Sequence, residues 1–155
     1  MSFDLNHEEA LRPLQEQLRR CRTITPELMA KVIAQACRRL PALHRTAKAR
    51  VIRLVESGAF ADATLALLEL ELPQWKLRRL MYEDCEWHCS LSKHIGLPAE
   101  LDDMAEATHE SLPVAILSAF VEAHRYSLIA SEGRPQSVPL LRPTQGSAIC
   151  CDNFA

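Results

Sequence analysis

Two cysteines and two histidines lie within ten residues near the middle of the chain, in the stretch CEWHCSLSKH. Thiolates and imidazoles are ligands that zinc prefers, so Cys85, His88, Cys89 and His94 are candidate metal ligands. Their spacing does not form the paired C-x-x-C elements of a zinc knuckle. On a strand, His88 and Cys89 would also point to opposite faces, which argues against one shared ion. We therefore expect no metal and no cofactor, with a metal or thiol centre at these four residues kept as an alternative.

The same region contains residues that could act as nucleophile, acid or base. Ser90 and Lys93 have the S-x-x-K spacing of penicillin-recognising enzymes, but the partner motifs of those enzymes are absent. Glu83, Asp84, Glu86 and His88 lie at or near one predicted turn and could serve general acid or base chemistry, because close carboxylates shift each other's pKa. Turns are commonly acidic, however, and the sequence does not show the burial that such tuning requires. We name no catalytic residue and favour a role other than catalysis.

Positive charge is concentrated in the first half of the chain. The net charge is −2, yet residues 1–80 carry 14 basic and 9 acidic side chains, whereas residues 81–155 carry 4 and 11. Residues 19–53 include ten Lys or Arg and a single acid, Glu27. Such a cluster could neutralise the phosphates of a nucleic acid. The basic residues selected for this alternative are Arg38, Arg39, Arg45 and Lys48. On helices they would spread opposite the apolar stripe, as on a solvated face, so binding of nucleic acid is not the favoured reading.

Two runs of strand-like composition, residues 75–82 and 86–92, flank Asp84 and Cys85 and predict a β-hairpin. A two-residue loop would pair Tyr82 with Trp87, Leu80 with Cys89, and Arg78 with Leu91. Cys85 is unfavourable in this loop, because the second position of a tight hairpin turn has a positive φ and prefers glycine. A longer loop, or a further helical turn at residues 74–81, is therefore the competing interpretation.

Helical periodicity flanks the hairpin on both sides. Helices are predicted at about residues 6–21, 26–40, 41–58 and 61–70, then after Pro98, and after Ser111. The clearest start is at Thr25, where a hydroxyl cap precedes proline at the first helical position. Pro13 should limit the regular part of the first helix to residues after about 12, because proline is tolerated only in a first turn.

Two further helices are predicted in the second half. The segment after Pro98 is assigned to a helix because acids fill its first turns while Leu101, Met104 and Ala105 would face inward. The last helix carries the strongest stripe of this half, formed by Ile116, Leu117, Phe120, Val121 and His124.

Together these patterns predict a mainly α protein with a minor β component: about six helices around one central two-stranded antiparallel hairpin near residues 75–92. A chain of 155 residues suits one domain, which we place at residues 1–130. Residues 131–155 are rich in proline and lack periodicity, which predicts an extended or disordered tail. The chain has neither a signal-peptide pattern nor about 20 consecutive apolar residues, so we expect a soluble cytoplasmic protein with reduced thiols and no membrane contact.

The function favoured by the sequence is a non-enzymatic protein-binding module. Its partner would be another protein or a second copy of the chain, for example in a homodimer that pairs the basic first half with the acidic second half. The candidate interaction residues are Trp75, Tyr82, Trp87 and His88 of the hairpin, and Arg38, Arg39, Arg45 and Lys48 of the basic stretch.

Overall fold

The computed structural model describes residues 3–132, with the side chains of residues 6–130. This part of the chain forms five α-helices and one three-stranded antiparallel sheet. The helices are α1 Phe3–Arg20, α2 Pro26–Ala36, α3 Arg45–Glu56, α4 Phe60–Glu71 and α5 Leu112–Glu132, and the strands are β1 Lys76–Glu83, β2 Glu86–Ser92 and β3 Met104–His109. The predicted tail, residues 131–155, lies outside the described residues apart from the last two positions of α5. The predicted class, mainly helical with a β component, is confirmed, but the numbers of helices and strands differ from the prediction.

Helix α5 is the centre of the fold. One side of it packs on β2 and β3, and the other on α1 and α4, while α2 contacts α1 and α3 contacts α4. The stripe predicted for this helix is buried throughout, at Ile116, Leu117, Phe120, Val121 and His124. Burial of this continuous stripe removes apolar surface from water on both sides of the helix, which is the main force holding the sheet to the bundle.

Helix α1 is longer than predicted and contains Pro13 in its interior. Proline removes one backbone hydrogen bond and normally kinks or ends a helix. Here Leu11, Leu14 and Leu18 are fully buried on one side of α1. Packing of this apolar side against the rest of the bundle therefore outweighs the local cost of the proline.

The predicted start of α2 is confirmed by its cap. The Thr25 Oγ1 atom accepts a hydrogen bond from the Leu28 N–H at 3.2 Å, and Pro26 occupies the first helical position. The predicted stripe then faces the core, because Leu28, Val32 and Ala36 are buried. Local sequence signals alone determine this helix start.

The junction between α2 and α3 differs from the prediction. A 3-10 turn at Leu40–Ala42 replaces the helix start expected at Pro41, and α3 begins only at Arg45. The buried carboxylate of Glu71 accepts hydrogen bonds from backbone N–H groups at the start of this turn. A side chain from α4 therefore holds the turn, and α3 ends before Gly58, whose φ of +76° suits the position after a helix.

The predicted hairpin is present, and its loop is the tight one. Asp84 and Cys85 have φ values of +51° and +65°, as a two-residue turn of type I′ requires. Tyr82 pairs with Trp87 and Leu80 with Cys89, as predicted. The unfavourable residue at the second turn position therefore did not lengthen the loop.

The predicted pairing of Arg78 with Leu91 is wrong. Leu77 occupies that position instead, and the register shifts between Leu77 and Arg79, so that Arg78 forms a β-bulge. The bulged residue makes a contact outside the hairpin, because the Arg78 guanidinium donates to Asp102 Oδ2 at 2.9 Å. A bulge of this kind redirects one side chain without changing the faces of the residues that follow.

Strand β3 replaces the helix predicted after Pro98, where the described chain has only a 3-10 turn at Ala99–Leu101. Residues 104–109 pair with β2 over their whole length. Their burial alternates, since Ala105 is buried and Glu106 is exposed, which is the period of a strand rather than of a helix. The predicted inward pair Met104 and Ala105 matched a helix over too short a segment to decide between the two periods.

No helix of residues 3–132 combines the length and the apolar character needed to cross a membrane.

Candidate functional site

The four candidate metal ligands lie apart from one another. Cys85 is exposed in the turn, and Cys89 is buried on the side of the sheet that faces α5. His88 is half-buried on the opposite face, and His94 is exposed in the loop after β2, with its Nδ1 3.6 Å from Asp102. Within the described residues, no group of three or more His, Cys, Asp or Glu side chains is placed to hold a metal ion.

The buried thiols are in environments that disfavour the thiolate. Burial raises the pKa of Cys89 to about 12, and burial, together with the nearby charge of Glu71, raises the pKa of Cys37 even further. Because the thiolate is the nucleophilic and metal-binding form, these two side chains act as small apolar core residues. Cys85 is the exposed thiol of the described part.

Asp102 is the best-connected acid in the described structure, and its side chain is fully buried. It accepts hydrogen bonds from the Ser92 hydroxyl, from Arg78 Nη1 at 2.9 Å and from the His94 backbone N–H at 2.9 Å. Arg78 Nη2 also donates to the Leu97 carbonyl oxygen at 2.9 Å. These contacts tie the loop between β2 and β3 to the bulge of β1.

The environment of Asp102 favours its ionised form. Burial by itself raises the pKa of this carboxyl group, but hydrogen bonds from Ser92, His94 and Arg78, with the positive charge of Arg78, together lower it below its ordinary value. The site is therefore a structural ion pair that fixes the loop, and its polar atoms are used within the chain.

The predicted aromatic residues have different roles. Trp75 is buried, donates from Nε1 to Ser127 Oγ at 3.0 Å, and carries the Lys93 ammonium 5.1 Å from its ring centre. Tyr82 is 58% exposed, and its ring centre is 5.2 Å from that of the half-buried Trp87. Trp75 therefore anchors β1 to α5, whereas Tyr82 is available to a partner.

Strand β1 exposes an apolar strip of three residues, of which the sequence had pointed only to Tyr82 as an interaction residue. Leu77, Leu80 and Tyr82 pair with Leu91, Cys89 and Trp87 respectively, and so share the face of the sheet that faces α5. Helix α5 covers β2 and β3 on this face, leaving Leu77 36% and Leu80 37% exposed. We call Leu77, Leu80 and Tyr82 the β1 strip.

Exposed apolar side chains are concentrated around this strip. Of the nine large apolar side chains that are more than a third exposed within the described residues, six lie between residues 77 and 101. Besides the β1 strip, they are Ile95, Leu97 and Leu101 of the loop after β2. Exposed apolar surface commonly marks an interaction site, so this part of the chain is the candidate site.

The predicted basic residues lie away from the hairpin, on the connection from α2 to α3 and on α3 itself. Arg38, Arg39 and Arg45 are exposed, and Lys48 is half-buried and donates from Nζ to the Pro41 carbonyl oxygen. The structure therefore does not bring them together with Trp75, Tyr82, Trp87 and His88.

A groove of about 450 Å³ lies between α1, β3 and α5, and most of its central charges are already engaged. Arg125 Nη1 donates to Gln15 Oε1 and to Glu122 Oε2, at 3.2 Å each. Gln15 Nε2 also donates to Glu122, and the Ser90 hydroxyl donates to Glu106 at 3.0 Å. Gln15, Glu122 and Arg125 thus bond to one another and stabilise the packing of α1 on α5, whereas the buried Nε of Arg125 has no hydrogen-bond partner within the described residues.

The face of the β1 strip could be predicted in part from the sequence, but its exposure could not. The predicted pairing of Leu80 and Tyr82 with Cys89 and Trp87 already places both residues on one face, so two of the three residues of the strip could be placed from the sequence. Helix α5 leaves β1 uncovered because it packs on β2 and β3. This arrangement could not be predicted, because β3 was assigned to a helix. The partners of Asp102 had no sequence signal, because Arg78 lies 24 residues away.

Comparison of the chain with models of protein families, with curated proteins and with solved structures finds no match.

Proposed function

We propose that the protein is an interaction module that binds another protein chain through strand β1. The observation that carries this proposal is the β1 strip, in which Leu77, Leu80 and Tyr82 are exposed on a strand against which none of the described helices packs extensively. Burying such a strip against a partner would contribute a favourable free energy of about 25 cal/mol for each Å² of apolar surface removed from water.

The position of β1 in the sheet supports the same function. The strand order is β1-β2-β3, so β1 is an outer strand whose second edge has no strand partner among the described residues. Exposed strand edges are templates on which other chains add a strand, with backbone hydrogen bonds for affinity and alternate side chains for specificity. The β1 strip would supply that specificity.

Binding at β1 accounts for the site geometry better than catalysis does. In the groove between α1, β3 and α5, the side chains of Gln15, Glu122 and Arg125 are hydrogen-bonded to one another. Asp102 is likewise saturated by Ser92, Arg78 and His94. An enzyme needs groups that are free to meet the reacting atoms, whereas a binding module needs exposed apolar surface and open backbone edges.

Site-specific photocrosslinking tests the proposal. A benzophenone amino acid in place of Tyr82 keeps an aromatic side chain at a 58% exposed position and should form adducts with a protein partner in cells of the native host. The matched control carries the same group at Ile52, which is 54% exposed but lies on α3. Adducts at Tyr82 well above those at Ile52 are expected, and equal or absent adducts would refute the proposal.

A further inference from the structure

We propose that the partner of β1 is a second copy of this chain, paired antiparallel with residues 79–83 around a two-fold axis at Met81. This inference rests on the proposed function and names its partner. It follows from the direction of the backbone hydrogen-bonding groups, the faces and the charges of the five consecutive residues 79–83.

The direction of the backbone groups follows from the turn. In a two-residue hairpin the residues that flank the turn, Glu83 and Glu86, exchange both backbone hydrogen bonds, and hydrogen-bonded pairs then alternate along the ladder. Residues 79, 81 and 83 therefore direct their backbone groups at β2. Leu80 and Tyr82 direct theirs at the open edge, where they can exchange N–H···O=C bonds with a second strand.

A two-fold pairing at Met81 uses these groups in full. Leu80 of one copy then lies opposite Tyr82 of the other and forms a hydrogen-bonded pair, twice per dimer. Both side chains belong to the β1 strip, so an aliphatic residue meets an aromatic one on the same face, a favourable cross-strand pair. The row continues within each copy to Trp87, whose ring is 5.2 Å from that of Tyr82.

The same register is complementary in charge. Arg79 of one copy lies opposite Glu83 of the other on the face of the sheet away from α5. Glu83 itself pairs directly with Glu86 across the hairpin, and two like charges directly opposite each other are unfavourable. Within the described residues none of these three side chains has an ion-pair partner within 4.0 Å. The guanidinium group of the second copy would therefore neutralise a repulsive pair.

Neighbouring registers lack these matches. If the two-fold axis lay at Leu80, Tyr82 would lie opposite the bulged Arg78 of the second copy, and Arg79 opposite Met81. If the axis lay at Tyr82, Leu80 would lie opposite the turn residue Asp84. The bulge and the turn thus limit regular pairing to the five residues from 79 to 83, and one register uses all five.

A charge-swap series measured by light scattering and sedimentation equilibrium tests the dimer. The wild type should dimerise, and Arg79→Glu or Glu83→Arg should each weaken the dimer about tenfold, because each change places like charges opposite each other twice. The double variant Arg79→Glu/Glu83→Arg restores opposite charges and should recover dimerisation. Arg50→Glu on α3 is the control for net charge, with circular dichroism as the check that each variant folds.

A disulfide at the two-fold axis tests the register. Met81 meets its own copy there as a non-hydrogen-bonded pair with Cα atoms about 4.5 Å apart, which is within the range that a disulfide spans. In a background with Cys85→Ser, Cys150→Ser and Cys151→Ser, which removes the exposed thiol of the described residues and the two cysteines near the end of the sequence, Met81→Cys should give a covalent dimer on mild oxidation. Ile52→Cys in the same background should not.

The outcomes separate this inference from the proposed function. A wild type that stays monomeric at all concentrations, or a double charge variant that fails to recover the dimer, would overturn the paired register. Adducts of Tyr82 with a different protein would then still support the interaction module. Absence of any adduct at Tyr82 would refute both.

Discussion

Asp102 shows how a single buried side chain can determine the shape of a hairpin. Its carboxylate accepts hydrogen bonds from the Ser92 hydroxyl, the His94 backbone N–H and the Arg78 guanidinium. Arg78 makes this contact from the position at which β1 bulges. Hydrogen bonds to a buried charged group are among the stronger ones in proteins. The bulge at Arg78 also limits the regular edge of β1 to the residues that follow it. Asp102, which binds Arg78, therefore affects the proposed interaction surface without being part of it.

Replacing Asp102 by Asn should lower the free energy of unfolding at pH 7, because the amide keeps the shape but loses the charge that Arg78 pairs with. The pKa of Asp102 is lowered in the folded state, so its contribution is present above the unfolded-state value of about 3.9 and is lost as the pH falls through the lower folded value. Urea unfolding of wild type and variant at pH 7 and at pH 3 measures this difference, which should shrink at pH 3.

Asp103→Asn is the matched control for Asp102→Asn. Asp103 is 62% exposed on its side chain and pairs with Lys93 at 3.3 Å, an exposed ion pair of the kind that contributes little. A variant of Asp102 that loses as much stability at pH 3 as at pH 7 would show that its charge is not the cause.

Among the helices and strands, those determined by local interactions could be predicted from the sequence, whereas those determined by distant contacts could not. The start of α2 at Thr25 was readable because its cap, proline and apolar stripe are all local. The faces of His88 and Cys89 were readable because alternation along a strand needs no tertiary information. Strand β3 was not, because residues 104–109 alternate in burial only where β2 pairs with them on one side and α5 covers them.

The hairpin turn gives a prediction at this scale. Cys85 has a φ of +65°, where a side chain is unfavourable and glycine is not, so Cys85→Gly should raise the free energy of unfolding by about 0.5 kcal/mol. Chemical denaturation of the two proteins measures the change. Thr108→Gly, at an exposed position in the regular part of β3, should instead destabilise the protein by about 0.5 to 1 kcal/mol. A loss of stability in Cys85→Gly would contradict the tight turn.

For the whole molecule, the arrangement around α5 explains why the interaction surface lies where it does. One helix cannot cover three strands, so α5 covers β2 and β3 and leaves β1 open on the same face. The sequence predicted the apolar stripe of α5 correctly but not the number of strands competing for it. The exposed strip on β1 is therefore a consequence of assembling the fold, which explains why only the shared face of Leu80 and Tyr82 could be predicted from the sequence.

The core of this assembly contains one group whose charge would conflict with the packing. His124 is buried, its ring meets Phe120 edge-on at 4.7 Å between centres, and its Nε2 has no hydrogen-bond partner among the described residues. Burial, with the positive charges of His7 and Arg38 nearby, lowers its pKa to about 4. At neutral pH the imidazole is therefore an uncharged core residue.

Acidification should destabilise the protein through this residue. The unfolded state takes up a proton near pH 6.5, whereas the folded state does so only near pH 4, so stability falls as the pH drops between these values. The loss between pH 7 and pH 4.5 should be about 2 kcal/mol, measured by denaturant unfolding at a series of pH values. His124→Leu keeps an apolar side chain in this place and should flatten the curve over that range, with His44→Leu at the exposed start of α3 as the control for losing an imidazole. An unchanged slope in His124→Leu would assign the acid sensitivity to other groups and would show that this histidine can be charged within the folded core.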